Sequence, residues 1–363
     1  KTNDGDAATN TNTEGTVIVA MGSGFSTLDP GYVYEKYPQT IVNACYETLF
    51  KLHGDGTEPQ PWLAESYAFS DDGLTLTVKL RSDVVFASGN PMTSADVAFS
   101  INRCKNLHGN PSFICDSIEQ IETPDDSTVV FKLNQADSAI ISKLTYQSLS
   151  ILDSTVVKEN GGTDAEDAAS TDTAQEYLNS TSAGTGMYVM TSYIPNEQVV
   201  LEKNPNYWTE SNNIEKYILN IQPDPNTQMM TLSTGDIDVA MNMTDDTMAE
   251  LEGSENIQIV NDATKMIGFV MMNMDETYGG PVSEPKVQQA IRKALDYSGI
   301  QMICGEGTIT PYDIIQVGFM GSKGERPVDY TNIEEAKQLL ADAGYPDGFD
   351  IDMPVCDLAM EGV

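Results

Sequence analysis

The chain has 363 residues, 40% of them apolar, enough for two or three domains with real cores. It contains no run of about 18 apolar residues of the kind that spans a membrane. With 55 acidic against 19 basic residues the net charge is −36, so nucleic acid or an anionic lipid surface is excluded as a partner by repulsion. The acidic residues are spread along the chain, the pattern of a solubilising surface rather than of a dedicated cation site.

In chain order, residues 1–14 are polar and low in complexity, and read as a disordered linker. Residues 16–21 (TVIVAM) read as a buried strand. Gly22-Ser23-Gly24 lacks the Lys-Ser/Thr of a P-loop and the spacing of a dinucleotide motif, so it is no phosphate cradle. Pro38 suits the first turn of a helix with Ile41, Cys45 and Leu49 as its apolar stripe. Asp71-Asp72-Gly73 is a turn, after which Leu74, Leu76, Val78 and Leu80 alternate with polar residues as one face of a strand. Thr93 and Asp96 make a capping-box pattern before a helix striped by Val97, Ile101 and Cys104. A second turn at Asp125-Asp126-Ser127 precedes the alternation Val129, Phe131, Leu133.

Residues 159–185 are rich in Gly, Ser, Thr, Asp and Ala and read as a long surface excursion. Ile237, Val239 and Met241 alternate as a short strand. Asp245 and Asp246 lack the pattern of an EF-hand loop. The run 267–273 (IGFVMMN) reads as a further strand. Ser283 and Pro285 open a helix faced by Val287, Ile291, Ala294 and Leu295. Thr331 and Glu334 suggest a second capping box, Ile333, Ala336 and Leu340 a stripe, and Gly344 a helix stop. Of five cysteines none falls in a CxxC. Cys104 and Cys115 are close enough in sequence for a disulfide, and burial as small hydrophobes fits them equally.

Residues 62–103 (WLAESYAFSDDGLTLTVKLRSDVVFASGNPMTSADVAFSINR) resemble the signature of the family 5 solute-binding proteins of ABC importers, the peptide- and nickel-binding group. The resemblance continues through GTGMY at 184–188, VVLEKNPNYW at 199–208, STGDID at 233–238 and AKQLLADAGYPDGF at 336–349. It departs at Met187, where the family has proline, and at Gln288, where a second arginine is usual. It implies an α/β fold of the two-lobed periplasmic-binding-protein type. Residues 15–46 and 153–264 would form lobe I, 47–152 an α+β subdomain inserted in it, and 265–363 a second lobe incomplete in this chain, since family members continue further. By the family pattern Tyr34, Lys36, Phe113, Tyr146, Asn242 and Met243 would line the ligand. The alternatives are an exposed tyrosine and solvated lysine at 34 and 36, a core position for Phe113, and a cap or turn role for Asn242. Trp208 is expected to pack rather than to bind.

The implied function is extracellular capture of a small peptide or other solute. Cleft closure would deliver it to an ABC permease, with no cofactor and no metal. A lipid-tethered or periplasmic monomer is the expected form. A nickel chelate is the lesser option, because His53 and His108 are the only histidines and both lie in turn-like segments. A surface sensory or adhesion module that has lost transport is the rival binding class. An enzyme is not expected, because GxSxG, HExxH and a Ser/His/Asp set are not evident.

Overall fold

The computed structural model describes residues 15–54, 57–241, 243–260, 267–305, 307–319, 321–327 and 330–352. The expected linker at 1–14, Asn242 and Cys356 therefore lie outside the described residues. Contacts divide the chain into two units, Lys1–Met241 and Asn242–Val363.

The first unit runs through β1 (Thr16–Met21), α1 (Lys36–Cys45), β2 (Phe50–Lys51), β3 (Gln60–Pro61), β4 (Ala64–Phe69), β5 (Thr75–Leu80) and α2 (Ser94–Asn106). It continues with β6 (Ile118–Asp125), β7 (Thr128–Leu133), α3 (Ile140–Lys143), α4 (Ser154–Glu159), α5 (Ala168–Thr171) and α6 (Gln175–Leu178). It ends with β8 (Tyr188–Ile194), β9 (Gln198–Lys203), β10 (Lys216–Ile221), α7 (Pro225–Thr234) and β11 (Val239–Ala240).

Two sheets organise this unit. One has the order β11-β1-β10-β9-β8, with β1 parallel to both neighbours and the rest antiparallel. The other is the antiparallel sheet β4-β5-β7-β6. The alternation read from sequence sets the inner face of the second sheet: Leu76, Val78, Val129 and Phe131 are wholly buried against Val97 and Ile101 of α2. Leu74 departs from that pattern, because it sits in the turn before β5 and stays exposed. The α2 cap forms as expected, with the Thr93 backbone N–H and hydroxyl donating to Asp96 Oδ2 at 2.8 Å each. A second core packs Met21, Val199 and Leu201 against Ile41 and Cys45 of α1.

Glu47 ties distant segments together. Its carboxylate is 7% exposed and accepts from Trp62 Nε1 (2.8 Å), Trp208 Nε1 (2.7 Å), the Thr185 hydroxyl (2.8 Å) and the Tyr207 hydroxyl (3.2 Å). Trp208 packs, as expected. Its ring lies edge-on to Trp62, with the Arg81 guanidinium 4.8 Å from its centroid. Gly184 and Gly186 lie so close to α1 that a Cβ at Gly186 would fall 2.4 Å from the Cys45 carbonyl carbon. That approach explains why GTG occurs where it does.

The stretch 159–185 is more structured than its composition suggests. It carries α5 and α6, and buries Ala168, Ala174 and Leu178. Small apolar residues scattered among polar ones gave no periodic signal, yet they suffice to seat two single-turn helices. Cys104 and Cys115 are free thiols, both buried, so the small-hydrophobe alternative describes them and the disulfide does not. Cys45 is likewise free, and burial pushes its thiol up to about 12.

The second unit contains α8 (Asp245–Leu251), α9 (Glu276–Gly279), α10 (Pro285–Ala294), α11 (Tyr297–Cys304) and α12 (Ile333–Asp342). Val287, Ala290 and Ala336 are buried where α10 and α12 pack together. Ala290 replaces the expected Ala294, which is exposed. The α12 cap is Asn332, whose side chain accepts from Glu335 N at 3.0 Å, rather than the Thr331–Glu334 box. The Thr331 hydroxyl instead donates to the Leu295 carbonyl. Ile333 of the expected stripe is 49% exposed, whereas Gly344 stops the helix at φ +93° as expected. The run 267–273 forms no strand. Its Phe269, Val270 and Met271 are exposed, and a hydrophobic run becomes a strand only when a neighbour pairs its backbone. No described helix is long and apolar enough to cross a membrane.

Candidate functional site

Tyr34, Phe113 and Tyr146 come from three separate segments and meet on the first unit. The Tyr34 ring centroid lies 6.2 Å from that of Phe113, edge-on, and 6.2 Å from that of Tyr146, tilted. These are ordinary distances for attractive aromatic pairs. Tyr34 and Phe113 nevertheless remain 47% and 53% exposed.

Local structure explains why each ring points outward. Phe113 lies in the 3-10 turn Asn110–Cys115, where positions three apart share a face. Pro111 and Ile114 take the inward face, leaving Phe113 to solvent. Val33 is buried, so the next residue in the loop, Tyr34, faces out. Tyr146 precedes the turn Gln147–Leu149 and is half-buried. Its hydroxyl accepts from Gln39 Nε2 at 3.1 Å, one helical turn from Asn43, whose Oδ1 accepts from Gln147 Nε2 at 3.0 Å. Burial raises the Tyr146 phenol pKa, the Gln39 hydrogen bond opposes this and Tyr34 adds to it, so the hydroxyl stays neutral at physiological pH. The nearby carboxylate of Glu35 is engaged elsewhere, by the Ser26 hydroxyl at 2.7 Å. The surface around the rings thus offers apolar faces and carboxamides, groups suited to an uncharged or mixed ligand.

The same unit holds a buried charge cluster. Arg103 of α2 donates from Nη1 and Nη2 to the two carboxylate oxygens of Asp29 at 2.8 and 2.7 Å. It also donates from Nε and Nη2 to Asp172 at 2.8 and 2.9 Å. The three side chains are 1%, 0% and 1% exposed. Desolvation would lower the Arg103 pKa, but its hydrogen bonds to the two aspartates outweigh that and raise it above the ordinary value. Sequence reasoning missed this cluster and Gln39. The available signal was an arginine one position from the apolar stripe of a capped helix, in a chain otherwise poor in cations.

The remaining expected site residues are Lys36, Asn242 and Met243. Lys36 is the first residue of α1. Asn242 lies outside the described residues. Met243 is half-buried in the second unit. His53 and His108 are exposed, as expected of loop residues.

Comparison with known proteins places these features in a family. Glutathione-binding protein GsiB of Escherichia coli O1:K1 / APEC is 27% identical over 337 residues, 92% of this chain and 62% of that protein. The chain therefore spans less than two thirds of the length of the curated relatives it matches. Among solved structures, DppA from Helicobacter pylori in complex with peptide STSA superposes with a TM-score of 0.72 at 24% identity, over 92% of this chain and 67% of that one. AgaA from A. tumefacien R10, in complex with agropinic acid, gives 0.71 at 26% identity over 92% and 65%. These likenesses bear out the two-lobed α/β binding-protein fold. The family pattern for bacterial extracellular solute-binding proteins, family 5 Middle, matches residues 58–358, and the chain belongs to that family.

Proposed function

We propose that this protein captures di- or oligopeptides outside the cytoplasmic membrane and delivers them to an ABC import permease by closure of its two lobes. The observation that carries this reading is the gathering of Tyr34, Phe113 and Tyr146 from three separate segments into one half-exposed surface. Large aromatic rings kept partly in water, beside a carboxamide, are a binding surface rather than core filling. The reading extends to Lys36, Asn242 and Met243, whose assignment rests on the family pattern in the sequence. It assigns 15–46 and 153–264 to lobe I, 47–152 to the inserted subdomain and 265–363 to lobe II. Support comes from the β4-β5-β7-β6 sheet, which lies wholly within 64–133, while the other sheet joins 16–21 to 188–240.

A transport role needs no chemistry on the ligand, so the protein is read as a non-enzyme. A lipid tether and a monomeric state belong to the same proposal. Native mass spectrometry of the full-length gene product, purified without denaturation, tests the central claim. A ladder of added masses matching short peptides supports it. One discrete added mass redirects it to a single solute or chelate. No added mass, together with no thermal shift on adding a peptide pool, overturns it and favours a sensory or adhesion module.

A further inference from the structure

We propose that Arg103 is a positioning residue for the aromatic surface, and that through Asp172 it couples the 159–185 stretch to that surface. The proposal rests on the reading of Tyr34, Phe113 and Tyr146 as ligand-binding. Arg103 holds Asp29 directly, and through the loop that Asp29 opens it is linked to the segments behind all three. Toward Tyr34, it grips Asp29, which is the hub of the loop. Asp29 Oδ1 also accepts from Gly31 N at 3.0 Å, and its carbonyl accepts from Tyr32 N and Val33 N at 3.0 and 3.1 Å. Tyr34 follows directly. Toward Tyr146, the Val33 carbonyl accepts from the Ser148 hydroxyl at 2.6 Å, which fixes the turn after Tyr146 to the same loop. Toward Phe113, the C-terminal end of α2 packs closely on that loop, with glycine on each side of the contact. A Cβ at Gly31 would lie 2.7 Å from Leu107 Cδ1, and one at Gly109 would lie 2.7 Å from the Tyr32 ring. Gly109 immediately precedes the turn that carries Phe113.

Asp29 alone neutralises Arg103, so the second carboxylate is not required for charge. Asp172 serves instead to anchor its own segment, accepting from Thr163 N at 2.9 Å and Ala174 N at 3.1 Å. A planar fork engaging both carboxylates in pairs fixes direction as well as distance, which the point charge of a lysine does not do. The cluster is too deeply buried to touch a ligand, so any effect on binding is transmitted through the rings.

The test uses the full-length protein, Arg103→Met, Asp29→Asn and Phe113→Ala. Asp29→Asn keeps an acceptor for Gly31 but sets an amide N–H against the guanidinium, and so separates the ion pair from the turn. Ligands are the tripeptides Ala-Ala-Ala, Ala-Phe-Ala, Ala-Lys-Ala and Ala-Glu-Ala, titrated calorimetrically well below the melting temperature. Proteins are also labelled with 3-fluorotyrosine, and the Tyr34 fluorine resonance among the 16 tyrosines is assigned by its loss in Tyr34→Phe. Arg103→Met and Asp29→Asn are expected to weaken every peptide by about tenfold or more without changing their ranking, about 1.4 kcal/mol or more. Both should also move the Tyr34 resonance toward its denatured position. Phe113→Ala, a contact change, is expected to alter the ranking. A purely structural Arg103 would lower the melting temperature and leave affinity and resonance as in the wild type, and that result in folded Asp29→Asn overturns the proposal. If the wild type binds none of the peptides, the peptide reading fails, while the Tyr34 resonance still decides the role of Arg103.

Discussion

Replacing Glu47 by glutamine tests whether a single buried carboxylate holds the seam of the first unit. The two residues have the same shape, but the amide keeps one acceptor oxygen where the carboxylate has two. In the protein, Oε1 serves Trp62 and Tyr207, and Oε2 serves Trp208 and Thr185. Whichever way the amide turns, one pair faces an N–H. The hydroxyl of that pair can rotate and accept instead, but an indole N–H can only donate. One indole is therefore orphaned. At about 1–3 kcal/mol for an unsatisfied buried donor, plus the lost charge assistance of the remaining bonds, the expected destabilisation is about 3 kcal/mol. Trp62 and Trp208 are the only tryptophans, so urea unfolding followed by fluorescence reads the site directly. With a slope of about 3 kcal/mol per molar urea the midpoint should fall by about 1 M. Glu47→Ala, which orphans all four donors, should fall further. A Glu47→Gln midpoint within about 0.2 M of wild type, with unchanged emission, would refute the argument, because by the same slope it would leave no orphaned donor to account for.

Three further outcomes are expected. Gly186→Ala places a Cβ 2.4 Å from backbone that cannot yield, and should cost about 3 kcal/mol or more in thermal or urea unfolding, against less than about 1 kcal/mol for alanine at an unstrained glycine. Burial first, and then Tyr217, hold the Tyr188 phenol up to about 12, although its bond to Asn212 opposes them. A raised folded pKa gives stability that is complete below the ordinary value near 10 and lost as pH climbs toward 12. Stability should therefore fall across that window, and Tyr188→Phe should flatten the fall as read by circular dichroism. Finally, in a Cys356→Ser background, Ellman's reagent should find Cys45, Cys104 and Cys115 unreactive until urea is added, leaving Cys304 as the one described thiol open to native labelling.

Much of the first unit was legible because its signals are local. Strand β5 follows a period of two, α2 a capping box, and both are set by residues a few positions apart. Burial of Leu76, Val78, Val97 and Ile101 follows from that spacing alone. What was not legible depends on partners far along the chain. The 267–273 run has the composition of a strand, but composition does not supply a paired neighbour. Asn332 outcompeted Thr331 as a cap because the Thr331 hydroxyl found the Leu295 carbonyl, 36 residues away. The ring surface was reachable only through family resemblance. Nothing in the local pattern at Tyr34, Phe113 or Tyr146 says that they meet, and the Arg103 cluster joins positions separated by 74 and 69 residues.

The pairing of β1 with β10 carries a consequence for how the molecule is made. Thr16 stands opposite Lys216, so β1 has no strand partner until some two hundred residues have followed it. Strands β4 to β7, by contrast, pair with near neighbours in sequence and can close first. Loop-closure entropy makes the β1–β10 contact late and slow. A chain built this way folds in two stages, the β4-β5-β7-β6 sheet closing on itself while the β11-β1-β10-β9-β8 sheet waits for strands made much later.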